Sequence, residues 1–210
     1  MNITLYEAPM SSAIPVVHAL MELDIPHKRV TLNLADKKHT EPEFLKMNPN
    51  GKVPTLVADG TPMFEALAIM TYLGEQFGVE RKLWPAADSP ARLEAMSWST
   101  WAYVTYGSAI QRLLQAESER TPKELQSAAQ ARQAHKDLGQ LLAILDKHLD
   151  GRTHLLGDDF SLADVIVASP VIWGTYCNVP VGDYPNVAGW TSRFQTRPAF
   201  KLAWADPSGA

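Results

Sequence analysis

The run from Asn48 to Leu73, NPNGKVPTLVADGTPMFEALAIMTYL, limits what this chain can fold into more than any other segment. A proline sits at the head of its first apolar stretch (Val53, Pro54, Thr55, Leu56, Val57), and proline has no amide to give to a strand ladder. The carbonyl and amide just before it are therefore left for another partner. A second short strand, Met63-Phe64, follows the DGTP turn, and Glu65 then opens a helix whose free amides favour an anion. Together these features read as half of a binding site for a small peptide.

Around that run the periodicity alternates between two and about three and a half. Residues 2 to 6 alternate as a strand, and Ser11 to Leu23 carry apolar residues at Ile14, Val17, Leu20, Met21 and Leu23 with helical spacing. Lys28 to Leu34 reads as a second strand, Pro42 to Lys46 as a short helix, Thr55 to Val57 and Met63-Phe64 as strands, and 66–77 as a helix. A βαβ unit followed by ββα within about 80 residues is the order of a thioredoxin-like α/β domain. Glu80 to Pro90, with Pro85 and Pro90 between periodic segments, reads as a linker. Beyond it the spacing is helical only, over 90–118, 123–149, 161–177 and 185–195. The expected organisation is an α/β domain over 1–79, a linker over 80–90 and an all-α domain over 91–210.

Charge and cysteine usage narrow the function classes. A net charge of -4 and a pI near 5.8 leave no basic patch for phosphates, so a nucleic-acid partner is not expected. No apolar run approaches the length of about 18 residues that a membrane span needs. The start, MNITLYE, goes directly into a strand pattern with no basic, apolar leader, which makes cytoplasmic the default location. The lone cysteine, Cys177, forbids an internal disulfide and a zinc site built from several thiolates, and no metal is expected. Within Phe160-Ser161-Leu162-Ala163-Asp164, Ser161 and Asp164 have capping-box spacing, which accounts for both polar residues structurally.

The segments LYEAPMSS, HTEPEFLKMNPNGKVPTL, FEALAI, FSLADVIVASP and TRPAF, in this order and spanning almost all 210 residues, resemble the glutathione transferase family. The match is to its bacterial, serine-type, theta- or delta-like members. The resemblance implies the glutathione transferase fold, with glutathione as cosubstrate and a homodimer as the assembly. It also implies that Val53 pairs its backbone with the cysteinyl unit of glutathione before a cis Pro54. Ser11, between the first strand and the first helix, would direct its hydroxyl at the glutathione sulfur and favour thiolate over thiol. A helix cap is the competing role for Ser11, and Ser12 and Tyr6 are alternatives for the thiolate contact, although Tyr6 alternates as a core residue. Lys52 and His39 stand where the family often holds the glycine carboxylate, with a solvated loop position as the competing role for each. Glu65 can take the substrate ammonium, and the Ala66 amide the γ-glutamyl carboxylate.

One departure stands out. The family usually has serine where this chain has Ala66, and alanine supplies no hydroxyl donor. Losing one hydrogen bond to a charged group costs about 1.5 to 3 kcal/mol, which weakens glutathione binding about ten- to a hundredfold unless something compensates.

In the helical half, Trp98, Trp101, Tyr103, Tyr106 and Ile110 fall on one expected helix in two stripes. One stripe is core. Tyr103, Tyr106 and Ile110 are the stripe expected either to line a pocket for a small apolar electrophile or to serve as plain interdomain packing, with Trp173, Cys177 and Trp204 expected in the core. The leading reading is a detoxifying transferase that activates the glutathione thiol and adds it to such an electrophile. Two others compete with it: a non-catalytic scaffold of the same fold with a weakened glutathione site, and a glutathione-dependent isomerase, peroxidase or conjugate-processing enzyme.

Overall fold

The computed structural model describes residues 1–205. Its backbone falls into two compact units, one formed by Met1–Ala86 with 196–205, the other by Ala87–Gln195.

In the first unit, β1 (Ile3–Glu7), α1 (Ile14–Glu22) and β2 (Lys28–Thr31) form the βαβ half, and α2 (Pro42–Met47) leads into β3 (Thr55–Ala58), β4 (Thr61–Phe64) and α3 (Ala66–Leu73). The sheet order is β2-β1-β3-β4. β1 runs parallel to β2, whereas β3 is antiparallel to both β1 and β4. This is the thioredoxin-like arrangement that the pattern of periods implied. The parallel pair needs a crossover, and α1 supplies it, burying Pro15 to Leu20. Ile3, Leu5, Leu56, Ile69, Met70 and Leu73 are buried in the same unit. A second apolar cluster joins Ala8, Leu32, Phe44 and Val53, with Tyr6, Val30 and Met47 packed against it.

Several boundaries differ from those the periodicity suggests, each for a local reason. β2 stops at Thr31 rather than Leu34, because the Asn33 side chain accepts from the Ala35 amide at 3.0 Å and starts a tight turn. α1 begins at Ile14, with Ser11 and Ser12 in the preceding turn. α3 widens after Leu73 into looser turns over Gly74–Gly78, where Trp84 covers the two glycines. The TRPAF segment leads into a separate helix over Pro198–Trp204. Residues 196–205 therefore group with the α/β unit and not with the helical one in which 91–210 was expected; 206–210 lie outside the described residues. Arg197 holds Glu22 of α1 through paired bonds of 2.6 and 2.7 Å, and His18 meets the same carboxylate at 3.0 Å.

The second unit contains only helices among the described residues: α4 (Pro90–Thr100), α5 (Gly107–Glu117), α6 (Ala128–His148), α7 (Leu162–Tyr176) and α8 (Pro185–Gln195). Wider turns over Trp101–Tyr106 link α4 to α5. The core helix is α7, buried over Leu162–Ala168 and again at Val171, Ile172 and Gly174. At its start the Ser161/Asp164 capping box forms. The fully buried Asp164 carboxylate accepts from the Ser161 amide (2.9 Å), the Leu155 amide (2.8 Å) and the Trp190 indole (2.8 Å). A buried acid with that many donors is satisfied as a structural anchor.

Candidate functional site

The sheet register brings three chain segments to one end of the first unit. Tyr6 is opposite Thr55, and Thr55 is opposite Phe64. The chain leaving β1 (Ala8 to Ala13), the turn entering β3 (Asn48 to Pro54) and the turn leaving β4 (Glu65-Ala66) therefore converge at that end, where ligands bind open sheets that contain parallel strands.

In the first segment Met10 has φ of 50° and is exposed. The Ser11 hydroxyl donates to the Ala8 carbonyl at 2.6 Å and accepts from the Ala13 amide at 3.2 Å, so it closes the turn into α1. A hydroxyl has a single proton, and here that proton is held by the backbone. Ser12 reaches across the site instead, donating to the Val53 carbonyl at 3.1 Å. Tyr6 packs edge-on against Phe44 with ring centroids 5.7 Å apart, as a strand residue facing the smaller apolar cluster. Glu7, at the end of β1, is buried and is neutralised by Arg29 through bonds of 2.6 and 2.9 Å.

The second segment contains the Val53–Pro54 peptide, which is cis. The side chain that organises this turn, Asn48, was not among the residues singled out from the sequence. It is buried, donates to the Lys52 carbonyl (2.8 Å) and to the Thr55 hydroxyl (3.0 Å), and accepts from the Asn50 amide (3.0 Å). Thr55, also buried, donates to the same Lys52 carbonyl at 3.1 Å. An asparagine before a proline and a glycine in NPNG is a turn signal, and it is the feature that could have pointed to Asn48. Gly51 has φ of 58°, and a Cβ there would lie 3.2 Å from the His39 carbonyl. The His39 loop thus packs directly beside the residue that precedes Lys52. The Lys52 side chain is exposed and His39 is half-buried.

In the third segment Glu65 is exposed with φ of 69°, and its carbonyl accepts from the Ile69 amide at 3.0 Å to start α3. Ala66 is the buried first residue of that helix. The first turn of α3 carries no acidic residue and Glu65 makes no side-chain cap, so the anion-favouring end of the helix depends on backbone amides.

The stripe expected to line an electrophile pocket is corrected for two of its residues. Tyr106 and Ile110 are buried in the helical core. A Cβ on Gly174 of α7 would lie 2.6 Å from the Tyr106 hydroxyl and 3.2 Å from Ile110 Cδ1, so both side chains fill the space that this glycine leaves. Tyr103 is half-buried, and burial raises the pKa of both phenols. On the other stripe, Trp98 stacks on His148 with ring centroids 4.3 Å apart, and Trp101 packs edge-on against Trp98 at 5.1 Å. Burial raises the Cys177 thiol pKa as well. Among the described residues no group of His, Cys, Asp and Glu side chains could hold a metal ion, and no helix is long and apolar enough to cross a membrane.

Comparison with known proteins gives a consistent set of matches. Residues 1–75 match the family model for the glutathione S-transferase N-terminal domain, and residues 96–198 match the model for the C-terminal domain. The chain is 34% identical over 191 residues to the glutathione S-transferase GstB of Escherichia coli strain K12, covering 89% of each chain. It is 27% identical over 204 residues to the disulfide-bond oxidoreductase YfcG of the same strain, covering 94% of this chain and 92% of that one. A glutathione transferase from Burkholderia graminis, solved with two glutathione molecules per subunit, superposes with a TM-score of 0.86 at 27% identity, covering 100% of this chain and 90% of that one.

Proposed function

Since the chain belongs to the glutathione S-transferase family, we propose that it is a serine-type glutathione transferase that adds the glutathione sulfur to a small apolar electrophile. In this reading Val53 pairs its backbone with the cysteinyl unit. Lys52 and His39 hold the glycine carboxylate, Glu65 the ammonium group, and the Ala66 amide the γ-glutamyl carboxylate. The Ser11 hydroxyl turns from the Ala8 carbonyl to the sulfur, and the loss of one neutral hydrogen bond is offset by a charge-assisted one to the thiolate. The thiol proton leaves to solvent and the sulfur lone pair forms the new bond to carbon, while the pair displaced at that carbon departs with a leaving group or moves to the neighbouring atom, which takes a proton from solvent; proximity and thiolate stabilisation supply the rate. Tyr103 is the pocket residue that this reading retains, and the working form is a cytoplasmic homodimer engaged in detoxification.

The observation that carries this reading is the Tyr6–Thr55–Phe64 register, which gathers Ser11, Val53-Pro54 and Glu65-Ala66 at one sheet end. The test is calorimetric titration with reduced glutathione, followed by turnover of a model electrophile by wild type and Ser11→Ala. Binding at or below about millimolar concentration is expected, with turnover falling far more than affinity in the variant. Absence of binding favours the scaffold reading, and equal turnover removes Ser11 from the mechanism.

A second reading follows from the sequence relation to a disulfide-bond oxidoreductase. The lone Cys177 lies in the helical unit, so a reduction at this site would take its electrons from glutathione itself. One glutathione thiolate attacks the substrate disulfide, and a second releases the first as oxidised glutathione. Consumption of two glutathiones per disulfide, with no transfer to carbon electrophiles, is the result that selects it.

A further inference from the structure

We propose that Asn48 and Thr55 act as a carbonyl clamp that sets glutathione affinity by fixing the direction of the Val53 amide; the proposal rests on the glutathione-binding function above. The peptide between Lys52 and Val53 is planar and trans, so its carbonyl and its N–H point in opposite directions. Two buried donors hold the carbonyl: the Asn48 side-chain amide at 2.8 Å and the Thr55 hydroxyl at 3.1 Å. They are also bonded to each other at 3.0 Å, and the Asn50 amide at 3.0 Å fixes the remaining Asn48 oxygen.

Every polar group of the Asn48 side chain is thus engaged, which sets both its rotamer and the orientation of its amide. With the Lys52 carbonyl drawn inward by this pair, the Val53 N–H is directed to the opposite side. Among the described residues that N–H has no backbone partner. The far end of Val53 is tied separately, since its carbonyl accepts from Ser12 at 3.1 Å. Val53 is therefore fixed at both ends before a ligand arrives. An extended peptide that bonds to Val53 meets a preorganised donor and avoids the entropy of ordering the turn. Asn48 and Thr55 are positioning residues in this scheme and touch no reacting atom.

The test separates positioning from mere support of the fold. Thr55→Val keeps the shape of the side chain and removes the hydroxyl, Thr55→Ser keeps the hydroxyl, and Asn48→Asp keeps the shape and removes both donors. Glutathione Kd by calorimetry, kcat and KM for glutathione, and the thermal midpoint are measured on each. Thr55→Val and Asn48→Asp are expected to raise Kd and KM by about tenfold while kcat at saturating glutathione stays within about twofold. Thr55→Ser is expected to restore both constants.

If Asn48→Asp does not fold, Thr55→Val against Thr55→Ser decides the matter. A folded Thr55→Val protein with a lower thermal midpoint and an unchanged Kd overturns the clamp and leaves the transferase function standing. A wild-type protein that binds no glutathione overturns the function itself, and the clamp with it.

Discussion

Replacing Gly74 with alanine sets two opposed effects against each other. Alanine in a helix interior is favoured over glycine by about 1 kcal/mol. Against this, a Cβ at position 74 would lie 2.7 Å from Trp84 Cδ2 and 2.9 Å from Cγ. These atoms belong to the middle of the indole and not to a flexible tip, so relief needs the whole ring to retreat by about 1 Å to reach ordinary carbon contact. Retreat is blocked from behind: Trp84 is 3% exposed, and its amide and that of Leu83 donate to the Gly78 carbonyl at 3.2 and 2.8 Å. Overpacking of this kind costs about 1 to 3 kcal/mol. The clash offsets the helical gain, and Gly74→Ala is expected to lose up to about 2 kcal/mol in urea unfolding. Gly182→Ala, with nothing within 4 Å of its Cβ, is the control and should stay within about 0.5 kcal/mol of wild type. Trimming the ring with Trp84→Leu should suppress the cost of Gly74→Ala, a coupling visible in the double-mutant cycle. A Gly74→Ala protein about 1 kcal/mol more stable than wild type, the unopposed helical gain, would refute the argument that Trp84 is immobile.

Three further outcomes follow from the geometry. The Arg197 guanidinium and His18 overcome the burial of Glu22 and bring its pKa down from 4.5 to about 2, so its contribution is complete above pH 4.5 and is lost as the pH falls toward 2; a loss of about 2 kcal/mol by pH 3 is expected in wild type. Burial lowers the pKa of His18 below 6.5, so acid acts on it in the same direction, and Glu22→Gln should flatten the stability profile between pH 5 and 3, whereas parallel profiles would exclude Glu22 as its source. Ala66→Ser is expected to tighten glutathione binding about tenfold or more, and unchanged calorimetric affinity would mean that another group already holds the γ-glutamyl carboxylate. Among the described residues the buried Tyr106 hydroxyl has no hydrogen-bond partner, so Tyr106→Phe should leave urea stability unchanged or raise it by up to about 1 kcal/mol; a loss of that size would show the hydroxyl to be bonded after all.

How much could be read in advance depended on the range of the interaction involved. Features set by neighbours a few residues apart were legible: the alternation in β1, the strand opened by Pro54, and the Ser161/Asp164 cap. Element ends were less so, because β2 is stopped by a turn at Asn33 and α3 is loosened where Trp84 covers it. Asn48 went unnoticed although its bonds span four and seven residues, since a turn-forming asparagine shows no sign in sequence of what its side chain will hold.

The sequence by itself determined the order of elements, the α/β and all-α halves, and the family, because each rests on local periodicity or on motifs that persist along the chain. The tertiary structure decided the rest. Helical spacing yields two stripes, and only packing against α7 shows that Tyr106 and Ile110 belong to the buried one. A serine hydroxyl can rotate, and only the folded loop shows Ser11 turned to Ala8 while Ser12 reaches Val53, 41 residues away. Glu22 and Arg197 meet across 175 residues, a distance at which no pattern along the chain identifies a partner. Periodicity fixes which face a residue occupies relative to its near neighbours, but what that face meets is set by burial, a property of the whole fold.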